Sequence, residues 1–213
     1  MSVRRVIIFT GHYGSGKTSL AVACALWLRT EGKPVTIADL DIVNPYFRTA
    51  DHREELAARG VRLICSPYAN SNLDIPALPG ELYAAITDRT GYAVLDVGGD
   101  DRGAVALGRF APDILAGGDY EMAFVVNFFR PLTQTAAEAL SVLREVEAAS
   151  GIRCTGLINN SNLGAATDAA DVLATKARMD ELAGRSGLPL LATACRGALY
   201  DALAGRMEPV VAF

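Results

Sequence analysis

Residues 11–18 read Gly-His-Tyr-Gly-Ser-Gly-Lys-Thr, and they follow the apolar run Val6-Ile7-Ile8-Phe9. The spacing fits the pattern G-x-x-x-x-G-K-[ST], in which a strand passes through a glycine-rich loop into a helix. Glycines are needed there because successive backbone N–H groups converge on phosphate oxygens only where no Cβ hinders a tight curl. The stretch therefore predicts a phosphate-binding loop; the alternative is a glycine-rich turn without a ligand.

Each part of this loop has a predicted task. Lys17 is expected to place its ammonium between the β- and γ-phosphates of a nucleotide, and Thr18 to give its hydroxyl to Mg²⁺. The N-terminus of the following helix adds the positive end of its dipole. The predicted nucleotide-binding residues are Gly11, His12, Tyr13, Gly14, Ser15, Gly16, Lys17, Thr18 and Ser19.

Composition and charge favour one globular domain over residues 1–213. The chain is 51% hydrophobic and has no Pro/Gly/Ser-rich linker. Its net charge of −4 provides no general basic field, so nucleic acid is not an expected partner. No apolar run is long enough to span a bilayer, and the apolar C-terminal tail lacks the basic residues of an amphipathic membrane anchor.

Four scattered cysteines indicate buried thiols in a reducing compartment. They stand at positions 24, 65, 154 and 195, without a C-x-x-C pair. That pattern does not fit a structural zinc site or a disulfide framework. We therefore expect a cytoplasmic protein.

Short apolar runs alternate with amphipathic segments along the chain. This alternation predicts an α/β fold, a mostly parallel sheet flanked by helices, with ligands at the carboxyl ends of the strands. The first helix is expected from about Lys17 to Thr30, and a later one from Thr133 to Gly151. The predicted strands are 6–9, 35–38, 61–64, 93–95, 123–126, 156–158 and 190–191.

Two carboxylates follow the second predicted strand. Asp39 and Asp41 are two residues apart, so an extended backbone places both side chains on one side. Such a pair suits the outer shell of Mg²⁺ and an attacking water. The alternative is a solvated turn in which these side chains cap the local backbone.

A third candidate segment runs from Val94 to Asp101. Asp96 ends the predicted strand and is the expected acid of the Mg²⁺ coordination sphere. Gly98 and Gly99 follow it and permit a loop that senses the γ-phosphate. This segment is the candidate switch.

These stretches together resemble the MinD, ParA and nitrogenase iron protein branch of P-loop ATPases, the SIMIBI class. Asp39-Leu40-Asp41 resembles its D-x-D first switch. Residues 96–100, Asp-Val-Gly-Gly-Asp, are similar to the D-V-L-G-D second switch of the iron protein, and residues 157–161, Leu-Ile-Asn-Asn-Ser, to its L-I-C-N-S stretch. The resemblance implies one three-layer P-loop NTPase domain, ATP as nucleotide, and a homodimer.

The resemblance also implies roles for single residues. Asp41 would position the hydrolytic water and contribute with Asp39 to catalysis, and Asn160 would hydrogen-bond the base. Independently, residues 159–162 lack the N-K-x-D motif with which guanine readers accept from the base edge. An asparagine that closes a buried turn is the alternative for Asn160.

Two features depart from that class. His12 occupies the position of a signature lysine that reaches across a dimer, and a neutral imidazole does not replace a fixed positive charge. Arg102 and Arg130 are candidates to supply charge instead, with an ordinary surface arginine as the alternative for each. No cysteine stands near a candidate switch, so no iron–sulfur cluster is expected.

Two further segments are candidate partner surfaces. Residues 66–76 form a long polar connection after the third strand, where an effector or substrate would meet the γ-phosphate. Residues 127–131 follow the fifth strand and offer Phe128 and Phe129 as anchors. An irregular loop and aromatics packed under the next helix are the respective alternatives.

The sequence thus favours a Mg²⁺-dependent ATPase that acts as a nucleotide-driven switch toward a protein partner. One alternative is an enzyme that transfers the γ-phosphoryl group to a small-molecule acceptor, as relatives of dethiobiotin synthetase and cobyrinate amidase do. Another is a nucleotide-gated binding module with little turnover. Fold-level resemblance does not choose among them.

Overall fold

One parallel sheet organises the molecule. The computed structural model describes residues 3–40, 49–65, 78–99 and 101–212. The strands of these residues pair in the order β3-β2-β4-β1-β5-β6-β7-β8, and every pairing is parallel. They are β1 (Val6–Thr10), β2 (Val35–Leu40), β3 (Arg62–Ile64), β4 (Tyr92–Val97), β5 (Tyr120–Val126), β6 (Gly156–Asn159), β7 (Leu190–Cys195) and β8 (Val210–Ala212).

Helices cover both faces of the sheet. In chain order they are α1 (Lys17–Thr30), α2 (Arg53–Ala58), α3 (Leu78–Thr87), α4 (Asp101–Gly108), α5 (Ala111–Gly117), α6 (Ala136–Ser150), α7 (Ala169–Leu173), α8 (Lys176–Ser186) and α9 (Tyr200–Leu203). Short 3₁₀ turns occupy Thr49–His52, Gly164–Ala166 and Gly197–Leu199. The predicted α/β fold with a helix-flanked parallel sheet is confirmed.

Strand alternation sorts the core into two layers. Successive strand side chains point to opposite faces. One layer includes Ile8 together with residues of α3, α4, α5, α6 and α8. The other layer includes the next strand residue toward the N-terminus, Ile7, together with residues of α1 and α2. Both faces are therefore buried, which explains why the strands read as uninterrupted apolar runs.

Local signals fix the ends of the two longest helices. The first starts at Lys17, as predicted, and the chain then turns at Gly32 with a left-handed φ of 73°. The second begins at Ala136, three residues later than expected from Thr133, because Thr135 and Glu138 form a capping box before it. It ends, as predicted, at Gly151.

The C-terminal tail forms a strand that the sequence analysis did not predict. Val210–Ala212 pairs with Thr193–Cys195 of β7. Leu203 and Met207 are buried in a small cluster with Val172 and Cys195 beneath this edge. Three residues are too few for a periodic pattern, so only the neighbouring strand reveals the element.

None of the helices in the described ranges is long and apolar enough to cross a membrane.

All four cysteines are free thiols in the folded chain. Cys154 and Cys195 are buried, and Cys24 and Cys65 are half-buried. Burial raises the pKa of Cys24 and of Cys154 to about 12. These two thiols are therefore protonated at neutral pH and pack as small apolar side chains.

Candidate nucleotide-binding site

The loop between β1 and α1 has the backbone that only glycine adopts freely. Gly11 and Gly16 have φ angles of 140° and 88°. A Cβ at Gly11 would collide with the backbone carbonyl of Val125, and one at Gly16 with the amide of Asn160. The two outer glycines of the motif are thus required both by conformation and by the close approach of β5 and β6.

Lys17 stands at the first position of α1, with its side chain held back along the loop. It is only 6% exposed, and Nζ donates a 3.2 Å hydrogen bond to the carbonyl oxygen of His12. A bound phosphate oxygen is a stronger acceptor than this carbonyl because it is charged. The ammonium is therefore positioned to transfer to a phosphate entering the loop.

The predicted acids Asp39 and Asp96 end two neighbouring strands. They are register partners across the β2–β4 pair, and Asp96 is in turn paired with Phe9 of β1, just before the loop. Asp39 is 8% exposed and Asp96 is 1% exposed. Parallel topology alone thus brings both carboxylates to the same edge as the loop. Asp41, the candidate loop 66–76 and Asp100 lie outside the described residues.

Thr49 contacts Asp96, and sequence reasoning did not identify it. Its hydroxyl donates a 2.7 Å hydrogen bond to Asp96 Oδ2, and the residue is fully buried. The two residues are 47 positions apart, and a lone threonine in a 3₁₀ turn carries no motif. Only the folded chain reveals that Thr49 holds the orientation of the candidate metal-binding carboxylate.

Replacing Thr49 by valine is expected to destabilise the protein by about 1–3 kcal/mol, because a buried carboxylate oxygen loses a donor. Thr30→Val is the matched control, since the Thr30 hydroxyl donates to the Trp27 carbonyl on the exposed surface. Urea denaturation of both variants measures the difference. Equal stability of Thr49→Val and wild type would show that this contact contributes nothing.

The turn between β4 and α4 packs directly on the phosphate-binding loop. A Cβ added at Gly99 would lie 2.6 Å from the backbone nitrogen of Tyr13 and 2.8 Å from the carbonyl carbon of His12. One added at Gly103 would lie 2.7 Å from the Gly98 backbone. The backbones of the candidate switch and of the loop therefore touch, so a displacement of one must be felt by the other.

His12 does not provide a fixed positive charge. Partial burial, and after it the nearby charge of Lys17, lowers its pKa below the ordinary 6.5. The side chain is therefore mostly neutral at pH 7. This agrees with the inference that His12 does not replace the signature lysine of the resembled class.

Because the folded state disfavours protonated His12, stability is expected to fall as pH drops below about 6.5, where the unfolded chain takes up the proton first. The free energy of unfolding, measured between pH 7.5 and 5, should therefore depend less on pH in His12→Asn than in wild type. His52→Asn, at the other histidine, is the control. A pH dependence unchanged in His12→Asn contradicts the assignment.

Asn160 follows β6 and supports the loop. It is 3% exposed, and Nδ2 donates a 2.7 Å hydrogen bond to the carbonyl oxygen of Ser15. Its backbone nitrogen donates to the Val126 carbonyl, which ties it to β5. The amide nitrogen thus has a structural task that the resemblance did not supply, and the predicted contact with a base stays a prediction.

The connections after β5 and β6 are bonded to each other. Buried Asn127 donates through Nδ2 to the Asn162 carbonyl at 3.0 Å, and its Oδ1 accepts from the backbone nitrogen of Phe129 at 3.0 Å. Ser161 Oγ accepts from the backbone nitrogen of Phe128 at 3.0 Å. Phe128 is 1% exposed and belongs to the core, so the proposed role of this residue as a partner anchor is wrong.

A cavity of about 540 Å³ extends from the loop across these connections. This volume is in the usual range for ligand pockets, about 300–1,000 Å³. None of the described residues that line the cavity is an Asp or a Glu. The lining residues are Tyr13, Gly14, Gly16, Lys17, Thr18 and Ser19 from the loop and the start of α1, Arg130 from the connection after β5, and, from later in the chain, Asn160, Ser161, Asn162, Gly164, Thr167, Val172, Ala194, Cys195, Arg196 and Leu199.

The sheet order, the glycine loop and the acids on adjacent strands define a P-loop NTPase fold. No protein-family model and no curated protein matches the chain. Solved structures do match. Cell division protein FtsY from Thermotoga maritima is 18% identical with a TM-score of 0.61, over 88% of this chain and 60% of that one.

Two further solved structures contain GDP. Signal Recognition Particle 54 kDa protein from Aeropyrum pernix is 14% identical with a TM-score of 0.59, over 89% of this chain and 41% of that one. The signal recognition particle receptor FtsY from Elizabethkingia anophelis is 16% identical with a TM-score of 0.55, over 89% and 56%. The chain thus spans 41% to 60% of the length of these three structures. At such identities the likeness shows the fold alone.

Proposed function

We propose that the chain is a Mg²⁺-dependent nucleotide switch that binds ATP in the described cavity and hydrolyses it. The observation that carries the proposal is that Lys17 and Thr18 line that cavity. Asp96 lies near the end of β4, the strand beside the one that leads into the loop, and Asp39 lies near the end of β2, the next strand outward. A triphosphate bound at the loop would therefore meet both a cation and nearby carboxylates.

The donor set fits Mg²⁺. This ion prefers oxygen ligands and is usually held by one or two carboxylates together with phosphate oxygens and water. Within the described ranges no group of three or more His, Cys, Asp or Glu forms a metal cage. Thr18 and Asp96, with Asp41 in the predicted set, would hold the ion, which would neutralise charge on the phosphates.

The protein side chains have separate proposed tasks. Lys17 binds phosphate oxygens and offsets their charge, and Asp41 positions the attacking water. Thr49 keeps the Asp96 carboxylate oriented through the 2.7 Å hydrogen bond. In this proposal, contact between Gly99 and the loop transmits the presence of the γ-phosphate to α4, which follows directly in the chain.

The cavity lining favours adenine. Guanine presents N–H donors at N1 and N2 that are usually bound by a carboxylate, and the described lining contains no acid. The lining contains the asparagines Asn160 and Asn162. A side-chain amide has both hydrogen-bond donors and an acceptor, and the edge of adenine likewise presents both kinds of group. GTP is the second candidate nucleotide, because two of the similar solved structures contain GDP.

The proposed client is a protein, and a homodimer is the proposed assembly. The contact between the β4–α4 turn and the loop supports a switch, because a γ-phosphate that displaces the loop would also displace the turn and α4. Transfer to a small-molecule acceptor is the competing activity; the candidate acceptor loop, residues 66–76, lies outside the described residues.

Phosphate release tests the proposal. Purified protein is incubated with ATP or GTP, with Mg²⁺ or with EDTA, and inorganic phosphate is measured. We expect slow release from ATP that requires Mg²⁺ and no other substrate. Faster release from GTP would reverse the nucleotide assignment, release only after addition of small metabolites would indicate a transferase, and tight binding without release would indicate a binding module.

A further inference from the structure

We propose that Arg130 binds the phosphate chain of the nucleotide and supplies, from within the same chain, a positive charge that the loop itself lacks at His12. This inference rests on the proposed nucleotide binding and adds a recognition residue to it. Arg130 follows β5, in a connection remote in sequence from the phosphate-binding motif.

The first observation is direct contact with the loop. Arg130 Nε donates a 3.2 Å hydrogen bond to the carbonyl oxygen of Gly14, across 116 residues of sequence. A Cβ at Gly14 would lie 3.4 Å from the same Nε. Arg130 also lines the same cavity as Lys17 and Thr18. The guanidinium therefore lies against the middle of the glycine loop, where the phosphates are expected.

The second observation is the unused capacity of the guanidinium. Arginine has five N–H donors in a planar fork, a geometry that matches two oxygens of a phosphate. Within the described part of the chain, the Arg130 side chain makes a single hydrogen bond, from Nε to the Gly14 carbonyl. The terminal nitrogens are therefore available to a ligand in the cavity.

The connection that carries Arg130 is fixed before a ligand arrives. The backbone nitrogen of Arg130 donates to the Asn127 carbonyl at 3.1 Å, and Thr133 Oγ1 donates to the same carbonyl at 2.8 Å. Leu132 has a φ of 64°, which an L side chain adopts only where surrounding contacts impose it. Such a rigid turn places a side chain at low entropic cost.

Arg178 of α8 holds the same connection from the other side. Its Nη1 donates to the Gln134 carbonyl at 3.0 Å, and its guanidinium lies 5.2 Å from the centre of the Phe128 ring. Phe128 is buried in the core, so the turn is tied to the body of the protein at both ends. Arg178 is a support for the turn, and Arg130 is the residue that faces the cavity.

The alternative arginines fit this role less well. Arg102 lies in α4 and does not line the cavity as described. Arg196 also lines the cavity, but its Nη2 already donates to the carbonyls of Ala165 and Thr167 at 3.2 and 3.1 Å. Of the two arginines singled out by the sequence, the structure favours Arg130.

Displacement of a fluorescent ATP analogue by ATP, ADP and adenosine tests the inference. Each ligand is titrated, with Mg²⁺ present, against wild type, Arg130→Ala, Arg130→Lys, the competing candidate Arg102→Ala and, as the surface control, Arg206→Ala, at an exposed arginine outside the cavity lining. We expect Arg130→Ala to weaken ATP and ADP at least about 10-fold and adenosine less than about twofold, since one charge-assisted contact to phosphate is lost. Arg130→Lys should recover part of the affinity, and both the competing candidate Arg102→Ala and the control Arg206→Ala should match wild type.

Wild-type affinity of Arg130→Ala for ATP overturns the inference and leaves the proposed function standing. An equal loss for all three ligands indicates a structural role and also overturns it, and so does a loss confined to Arg102→Ala. Failure of wild type to bind any nucleotide overturns the proposed function together with the inference. Thermal unfolding of each variant identifies one that has not folded, in which case Arg130→Gln replaces Arg130→Ala.

Discussion

Replacing Lys17 by alanine is expected to weaken ATP binding by about 10- to 100-fold or more. A hydrogen bond to a charged group contributes roughly 1.5–3 kcal/mol, and each 1.4 kcal/mol is about a factor of ten in affinity. Lys17 is buried and lines the cavity, so its interaction with phosphate is poorly screened by water. Equilibrium dialysis with radiolabelled ATP and Mg²⁺ measures the loss.

Lys33→Ala is the matched control for this experiment. Lys33 is exposed, follows the end of the same helix and lies outside the cavity lining. It should bind ATP as wild type does. Because Lys17 Nζ also donates to the His12 carbonyl, a thermal unfolding curve of Lys17→Ala must accompany the dialysis. A folded Lys17→Ala protein with wild-type affinity would remove Lys17 from the site.

Replacing Asp41 by alanine is expected to lower turnover of ATP by about 100- to 10,000-fold while ATP affinity changes little. A side chain that orients or deprotonates the attacking water acts on the chemical step, and removing such a group typically costs this much. Single-turnover phosphate release with saturating ATP separates the chemical step from binding.

Glu54→Ala is the control for Asp41, because Glu54 is an exposed acid in α2 outside the cavity lining. It should retain wild-type turnover. If Asp41→Ala still hydrolyses ATP at the wild-type rate, Asp41 has no part in the mechanism, although nucleotide binding would stand. Loss of both affinity and turnover would instead mean that Asp41 is needed to hold Mg²⁺.

The parts of the site that the sequence predicts are those with a local physical cause. The positive φ angles of Gly11 and Gly16 explain why the motif contains glycine there, and α1 starts at the expected residue. Asp39 and Asp96 are brought together by a general property of parallel sheets, the shared edge of their carboxyl ends. Both kinds of inference need only nearby residues or the fold class.

The contacts that the sequence does not predict are long-range pairings between single side chains. Thr49 meets Asp96 across 47 residues, Arg130 meets Gly14 across 116, and Asn160 meets Ser15 across 145. No spacing rule connects such residues, because the contact depends on how separate connections pack at one sheet edge. Asn160 illustrates the result: the resemblance supplied a base contact, and the structure supplies a hydrogen bond to the loop.

The resemblance and the structural comparisons agree on the fold, and the nucleotide is not decided by either of them. The motifs resemble ATP-binding members of the SIMIBI class, whereas two of the similar solved structures hold GDP. Membership in the MinD and ParA branch and the identity of the nucleotide both stay predictions. The absence of an acid from the described cavity lining is the physical reason to expect ATP.

The central claim is that a purine triphosphate with Mg²⁺ binds at the loop between β1 and α1. Isothermal titration calorimetry of the wild-type chain with ATP, and in parallel with GTP, tests it most directly. We predict heat consistent with one site per chain for ATP, a weaker response to GTP, and loss of the ATP signal in Lys17→Ala. No heat for either nucleotide in the presence of Mg²⁺ would contradict the account.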